Sequence, residues 1–384
     1  MKKTTSGITK PKGFLANGIS CGIKKSGKKD LALIYSTTLA KAAGVFTKNQ
    51  IKAAPLLVTI NHLKDHLAQA VIINSGNANC FTKKPGLNDA ILTAKLTSKR
   101  LRVKAEDVLV ASTGIIGKRL PMDKIKKGIS VLADGLNRDG NNNAGSAIMT
   151  TDKARKSIAV SFKLGNKSVS IGAIAKGAGM IYPHLANYPS ATMLCFITTD
   201  ANISILTLNT ALVNAVDKSF NSISVDGCTS TNDTVLILAN GQAENKIIKK
   251  DTRDFKVFSE ALNFVCLELA KKIVKDAEGA TKFIQIEING ASTEREAKRA
   301  AFSIANSNLF KTACYGNNPN WGRIVAALGS SGVKIVESSL NFSFSPFKKK
   351  EIKVSVNLNR GKNRATVYTS DLTPEYVRIN AQYS

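Results

Sequence analysis

SIAVSFKLGNKSVSIGAIAKGAGMIYPHLANYPSATMLCFITTDANISI, residues 157–205, decides how the chain reads. It opens with two runs of β-branched and small apolar residues joined at Gly165, the pattern of paired strands with a short turn. The second run passes into a glycine loop, KGAGM, from Lys176 to Met180. After a Gly/Pro-rich segment, a third strand begins abruptly at Thr192, directly behind Ala191.

Strands and helices mix on both sides of that stretch. Upstream, LALIYSTT reads as a buried strand and AQAVIINSGNANC as a strand running into a Gly/Asn turn. GLNDAILTAKLTSKRLRV has helical spacing, with Asn88 or Asp89 as the expected N-cap. DVLVASTGIIGKRLPMDKIKKGISVLADGL reads as strand, glycine loop and helix, with Pro121 near the helix start. DGNNNAGSAIMTTDK reads as a polar turn feeding a short apolar run. Downstream, LTLNTALVNAVDKSFNSI is helical, and SVDGCTSTNDTVLILANG is a polar loop before a buried strand. FSEALNFVCLELAKKIVKDAEG is an amphipathic helix expected to close at Gly279. FIQIEING alternates as a strand, TEREAKRAAFSIANSNLF reads as one helix, and the remainder reads as mostly β. The class is therefore mixed α/β, of the α+β kind.

Composition narrows the function. Hydrophobic residues make up 43% of the 384, which excludes a wholly disordered chain. That length suggests about two or three domains. No run of about 18 apolar residues occurs, so no membrane span is expected. The basic start MKKTTSGITKPKGF lacks a following apolar region, so no secretory signal is expected. The 6 Cys are dispersed without a CxxC pair, which fits reduced thiols in the cytoplasm rather than a zinc ribbon or a disulfide framework. With 55 Lys plus Arg against 27 Asp plus Glu, the net charge is +28. A basic RNA-binding protein would explain that charge, and so would a Lys-rich surface. RNP, KH and zinc-finger patterns are missing and aromatics are only 6%, so no specific nucleic-acid partner is expected.

Several motifs invite chemistry. GIIGKR, Gly114 to Arg119, lacks the spacing and the Ser or Thr of a phosphate loop. His62 and His66 stand four apart, but no third ligand is near, so no metal is expected. Acyl transfer has the better case. It needs a nucleophile, a base and donors for an oxyanion. STG, Ser112 to Gly114, follows an apolar strand and supplies N–H groups and the Thr113 hydroxyl. A Thr192 exposed by backbone cleavage would carry an α-amine beside its own hydroxyl, a base that requires no His. The alternative is a Thr that merely opens a strand. DAEGATK, Asp276 to Lys282, reads either as a solvated helix end or as a carboxylate awaiting an ammonium. DGCTSTNDT and YGNNPNWGR read equally as ordinary loops or as walls of a polar site.

Taken together and in order, GVFTKNQIKAAPL, INSGNANC, ASTGIIG, IMTTD, KGAGMIYP, ATMLCFITTDA, SVDGCTSTNDT, DAEGATK, NPNWGRIVAALG and YVRINAQYS resemble the signatures of the ornithine acetyltransferase family. These are the N-terminal-threonine glutamate N-acetyltransferases of arginine biosynthesis. The resemblance implies a two-domain layered αββα sandwich, autocleaved between Ala191 and Thr192 into two chains that share one core. Residues 1–191 would form the first chain and residues 192–384 the second. It implies Thr192 as nucleophile, Thr113 and Gly114 as oxyanion hole, and substrate contacts from Thr150, Lys176, Glu278, Asn380 and Ser384, with Thr151 the near alternative to Thr150. The implied substrates are N-acetylornithine and glutamate, with acetyl-CoA as the candidate second donor and no other cofactor. A heterotetramer of two copies of each chain would be the assembly. An N-terminal-nucleophile amidase or aminopeptidase is the nearer alternative. The chain departs from the family pattern by a short insertion around Asn187 to Ser190, by Cys228 where Asp is usual, and by His184 where Asn is usual.

Overall fold

The computed structural model describes residues 1–4, 6–182 and 193–382. Among these the chain forms two compact units, one of residues 1–177, 183–221 and 229–269, the other of 178–182, 222–228 and 270–384. The expected mixed α/β class is what the chain adopts.

The larger unit is built on a nine-stranded sheet. Its strands are β1 (Lys2–Thr4), β2 (Phe14–Ile19), β3 (Leu31–Phe46), β4 (Leu67–Asn77), β5 (Val108–Ile115), β6 (Lys156–Leu164), β7 (Lys167–Lys176), β8 (Leu194–Thr199) and β9 (Thr234–Ala239). They run in the order β1-β6-β7-β8-β9-β3-β4-β5, with β2 paired to β3. The paired strands expected at Gly165 are β6 and β7, antiparallel from Lys156↔Ala175 to Leu164↔Lys167. Helices α1 (Ala54–His62), α2 (Lys83–Leu101), α3 (Met122–Asp134), α4 (Asn141–Ala147) and α5 (Ile205–Asp217) complete its regular structure, and α6 (Arg253–Lys275) begins in it.

Period-2 alternation explains why the middle of this sheet is apolar throughout. Leu31, Leu33, Ala70, Ile72, Val108 and Val110 pack with Ala90 and Ala94 of α2 and Ile125, Ile129 and Leu132 of α3. Their neighbours in the chain, Ala32, Ile34, Val71, Ile73, Leu109 and Ala111, join a second cluster with Ala144 and Ala147 of α4. A strand buried on both faces shows no alternation in its sequence, which is why LALIYSTT read simply as buried.

The smaller unit has four strands, β10 (Phe283–Ala291), β11 (Asn341–Phe344), β12 (Glu351–Asn357) and β13 (Asn363–Ser370), in the order β11-β12-β10-β13. Its helices are α7 (Glu294–Ala305), α8 (Asn308–Tyr315), α9 (Trp321–Gly329) and α10 (Pro374–Ala381). Ile284, Ile286 and Ile288 of β10 meet Ala297, Ala300, Ala301 and Ile304, a helical stripe on α7.

Several local expectations change. Helix α2 starts at Lys83 behind Thr82, not at Asn88 or Asp89, because Asp89 is buried and accepts from Arg119 Nη2 at 2.7 Å. The supposed polar turn at 141–147 is α4, drawn into a helix by the burial of Ala144 and Ala147 and by Asn141 Oδ1 accepting from Ile8 N at 2.9 Å. Helix α6 stops at Lys275, short of Gly279. TEREAKRAAFSIANSNLF divides into α7 and α8, because Ser307 caps a new helix by accepting from Phe310 N. The C-terminal part carries α9 and α10 besides its strands, so it is not mostly β. His62 ends α1 and His66 has a φ of 60°, so the two do not share a helix face. His62 Nδ1 instead lies 2.9 Å from the Val108 carbonyl. Among the described residues no cluster of His, Cys, Asp and Glu could hold a metal ion, and no helix is long and apolar enough to cross a membrane.

Candidate functional site

In the larger unit the polar groups gather where strands end. Near its end strand β5 carries Ser112, Thr113 and Gly114, paired in parallel with Asn74, Ser75 and Gly76 of β4. Gly114 has a φ of 134°, and a Cβ there would overlap the Gly76 and Asn77 backbone, so only glycine lets the strands approach. Ser112 Oγ donates to Asn74 Oδ1 at 2.5 Å, and Asn232 Nδ2 donates to the Ser112 carbonyl at 2.8 Å. These bonds fix the segment beside Thr113, which is 2% exposed.

Lys176 ends β7 opposite Leu194, the first residue of β8. Its Nζ donates to Thr113 Oγ1 at 3.3 Å, although the two are far apart in sequence. Burying an ammonium is costly without polar company, and part of that company is Asp152. Asp152 Oδ1 accepts from Lys156 Nζ at 2.6 Å and from Gly177 N at 2.8 Å, while Oδ2 accepts from Thr150 N at 3.0 Å. Burial alone would raise the Asp152 carboxyl. The nearby charges of Lys176 and Lys156 and the Gly177 N–H outweigh it and hold the group well below the usual carboxylate range. Lys24 fastens the preceding residue, donating from Nζ to the Met149 carbonyl at 2.7 Å. Thr150 is thus anchored through its own N–H and through its neighbour. Thr150 and Thr151 are both half-buried.

Beside the same strand ends sits Asp233, fully buried, with neither carboxylate oxygen hydrogen-bonded. Burial pushes its carboxyl well above the usual range, and Lys176 pulls it partly back.

The smaller unit gathers a second group. Glu278 is 8% exposed and accepts at Oε2 from Asn380 Nδ2 at 2.9 Å. Its backbone N–H donates to the Ala178 carbonyl at 3.0 Å, and a Cβ on Gly179 would overlap its carboxylate. Asp226 gathers the segment around it. Its oxygens accept from Met180 N at 2.6 Å, Ile181 N at 2.9 Å and Tyr376 Oη at 3.2 Å. The Tyr376 hydroxyl is pushed up by burial and then by Asp226, so it stays a donor. Cys228 follows on the same turn, exposed, its thiol raised by burial and by Asp226, the opposite of an activated thiolate.

Of the site residues expected from sequence, Thr113, Gly114, Thr150 and Lys176 lie in the larger unit, and Glu278 and Asn380 in the smaller. Ala191, Thr192 and Ser384 lie outside the described residues, as do His184 and the insertion at Asn187 to Ser190. Sequence reasoning did not single out Asp152, Asp226 or Asp233. Their only signal was an Asp inside each small-residue motif, TTD, SVDG and TNDT. The NPNWGR motif opens α9, where Trp321 is 55% exposed and packs at 5.7 Å on the Phe342 ring. A separate cavity of about 380 Å³, lined by residues that include Leu57, His62, Leu87 and Ile91, involves none of the expected site residues.

A buried hydroxyl, a lysine and strand-end N–H groups beside the start of another strand are the types of group that acyl transfer uses, set on a mixed α/β frame. The chain belongs to the ArgJ family, whose profile it matches over residues 15–348 and 344–384. It is 45% identical to the arginine biosynthesis bifunctional protein ArgJ of Caldanaerobacter subterraneus subsp. tengcongensis, over 98% of each chain. The protein of the same name from Oceanobacillus iheyensis is also 45% identical, over 98% of this chain and 96% of its own. A crystal structure of ornithine acetyltransferase complexed with ornithine, from Mycobacterium tuberculosis, is 42% identical over 48% of this chain and 99% of that one, with a TM-score of 0.45.

Proposed function

We propose that this ArgJ-family acyltransferase of arginine biosynthesis moves the acetyl group of N-acetylornithine to glutamate through an acetyl-Thr192 intermediate. The observation that carries the reading is the Lys176–Thr113 bond at 3.3 Å, which joins a buried lysine of β7 to a buried hydroxyl of β5 in the chain's larger unit. The ordered family motifs and the whole-chain likeness to ArgJ proteins support it.

The chain first cuts itself between Ala191 and Thr192, giving residues 1–191 and 192–384, which stay assembled as a heterotetramer with two copies of each. The Thr192 hydroxyl then attacks the acetyl carbonyl carbon while its own α-amine takes the proton. Thr113 and Gly114 stabilise the oxyanion. The carbon–nitrogen bond breaks, the proton passes to the leaving amine, and ornithine departs. The glutamate amine next attacks the acetyl ester, and Thr192 regains its proton. Glu278, Asn380 and Ser384 serve the substrate ammonium, and Lys176 and Thr150 its carboxylate. Acetyl-CoA can acetylate Thr192 by the same attack, releasing the thiol. The cytoplasm is the proposed location.

Intact mass and denaturing gels test the cut: an active preparation holding only the uncleaved chain overturns it. Thr192→Ala should abolish both cleavage and transfer. Offering N-acetylornithine or acetyl-CoA as donor, with glutamate or water as acceptor, separates this enzyme from an N-terminal-nucleophile amidase.

A further inference from the structure

The loop between β2 and β3 carries Lys24, a residue that no motif of the sequence contains. Asp30, fully buried, folds this loop back on itself, its carboxylate accepting from Cys21 N at 2.7 Å and from Lys24 N at 2.9 Å. The stem of Lys24 lies against β4, where a Cβ on Gly76 would come within 2.9 Å of Lys24 Cγ. Gly76 is the residue paired with Gly114 of β5, next to Thr113. At its other end, Lys24 Nζ donates to the Lys29 carbonyl at 2.7 Å and to the Met149 carbonyl at 2.7 Å. Lys24 thus reaches from the β4–β5 pair to the peptide that leads into Thr150. An ammonium has three N–H donors, and among the described residues two of those on Lys24 are taken.

The charges around it do not balance. Asp152 faces the ammoniums of Lys24, Lys156 and Lys176, and Asp30 is the other carboxylate facing Lys24. Burial pushes the Lys24 ammonium down from 10.5 to about 8. Asp30 and Asp152 pull it up, while Lys176 and Lys28 press it further down. Asp233, which faces Lys176, does not restore the balance, because burial favours its neutral acid. Lys156 is sealed at 2% exposure against Asp152. Lys24, Thr150 and Thr151 are only half-buried, so a ligand can reach them. Two desolvated ammoniums near each other are costly unless an anion joins them. A carboxylate fits that need, since its two oxygens accept from two cations at once and also from a hydroxyl.

We propose that Lys24 is a substrate-binding residue whose third N–H donates to the α-carboxylate common to N-acetylornithine and glutamate, together with Lys176 and Thr150. This rests on the proposed function, which assigns that carboxylate to Lys176 and Thr150. Lys24 adds a second ammonium to the subsite, and the bound anion relieves the repulsion between the two. An amine without an α-carboxylate leaves that repulsion in place, so Lys24 also selects amino acids over simple amines.

The test is full-length Lys24→Met, assayed with glutamate as acceptor and two donors. One donor is N-acetylornithine, and the other is its α-amide, in which a neutral carboxamide replaces the carboxylate. With N-acetylornithine, kcat/KM should fall about 10- to 100-fold, the cost of one charge-assisted hydrogen bond. The fall should lie in KM with kcat little changed, because the carboxylate is held alike in ground and transition states. With the amide, kcat/KM should change by less than about 3-fold, as for a substitution that loses no contact. Lys25→Met, which removes an exposed neighbouring charge, should match the parent with both donors. Equal or larger losses with the amide overturn the proposal, because a lysine that only props the Thr150 turn serves both donors alike. An unchanged kcat/KM for N-acetylornithine overturns it too. If Lys24→Met does not fold, Lys24→Gln, which keeps a donor for the Met149 carbonyl without the charge, is read against the same two donors. A parent enzyme that moves no acetyl from N-acetylornithine to glutamate sinks the proposed function itself, an outcome read before any variant is made.

Discussion

Lys156 donates from Nζ to Asp152 Oδ1 at 2.6 Å, with the two side chains 2% and 0% exposed. This pair lies one turn of chain from Thr150 and holds the Gly177 N–H as well. Removing one partner of a buried ion pair strands the other charge in a low-dielectric interior. Asp152→Asn should therefore destabilise the protein by about 3–5 kcal/mol in urea unfolding. A cost under about 1 kcal/mol would mean that the pair is solvated and does not organise the Thr150 turn.

The Asp152 carboxyl is held low despite its burial, so linkage gives the sign of its pH dependence. A group whose folded pKa is depressed contributes stability that is present above its unfolded pKa and is lost as pH falls through the folded value. The larger unit should keep this contribution at pH 4 to 5 and lose it only in stronger acid, below the usual carboxylate range. Acid unfolding of the parent compared with Asp152→Asn checks this, and the gap between them should close only below about pH 3.

Gly179 has no room for a side chain, because a methyl there would overlap the Glu278 carboxylate. Gly179→Ala should push Glu278 off Asn380 and lower kcat/KM by about 10²-fold, the cost typical of a misplaced contact group. Its melting temperature should change little, since the far end of a side chain can move aside. Gly329→Ala, where an added methyl meets nothing, is the control. Equal activity in the two variants would remove Glu278 from the proposed substrate site.

Lys311 titrates in the opposite sense to Asp152. It is 2% exposed and donates to the Val225 carbonyl at 2.6 Å and to Thr369 Oγ1 at 3.1 Å. Burial pushes its ammonium down from 10.5 to about 8, with Asp226 and Asp371 opposing. Between those values the unfolded chain binds the extra proton, so stability rises with pH. The parent should gain on Lys311→Met by up to about 3 kcal/mol between pH 7 and 10. Urea unfolding across that range measures it, and a constant difference would show that Lys311 titrates normally.

The strands were largely readable because each is a run of β-branched or apolar residues bounded by turn formers. The joint at Gly165 and the beginnings of β5 and β9 needed nothing more. Helix limits were less legible where a polar side chain had two uses. Asp89 looked like a cap but serves Arg119, and Asn141 looked like a turn but bonds Ile8. The candidate site divided along the same line. Thr113, Gly114, Lys176 and Glu278 stood out through their motifs. Asp152, Asp226 and Asp233 did not, because an Asp among Thr, Ser, Asn and Gly is what an ordinary turn also contains.

Sequence by itself determined the mixed α/β class and the family and nominated the groups offered for chemistry, since these depend on local pattern and on ordered motifs. Only the tertiary structure decided which of those groups meet. Lys176 of β7 reaches Thr113 of β5 in the folded sheet, although four strands stand between them in its order. Asp233 is fully buried there with neither carboxylate oxygen hydrogen-bonded. Burial and charge pairing are properties of that assembled sheet, and no stretch of the chain carries them alone.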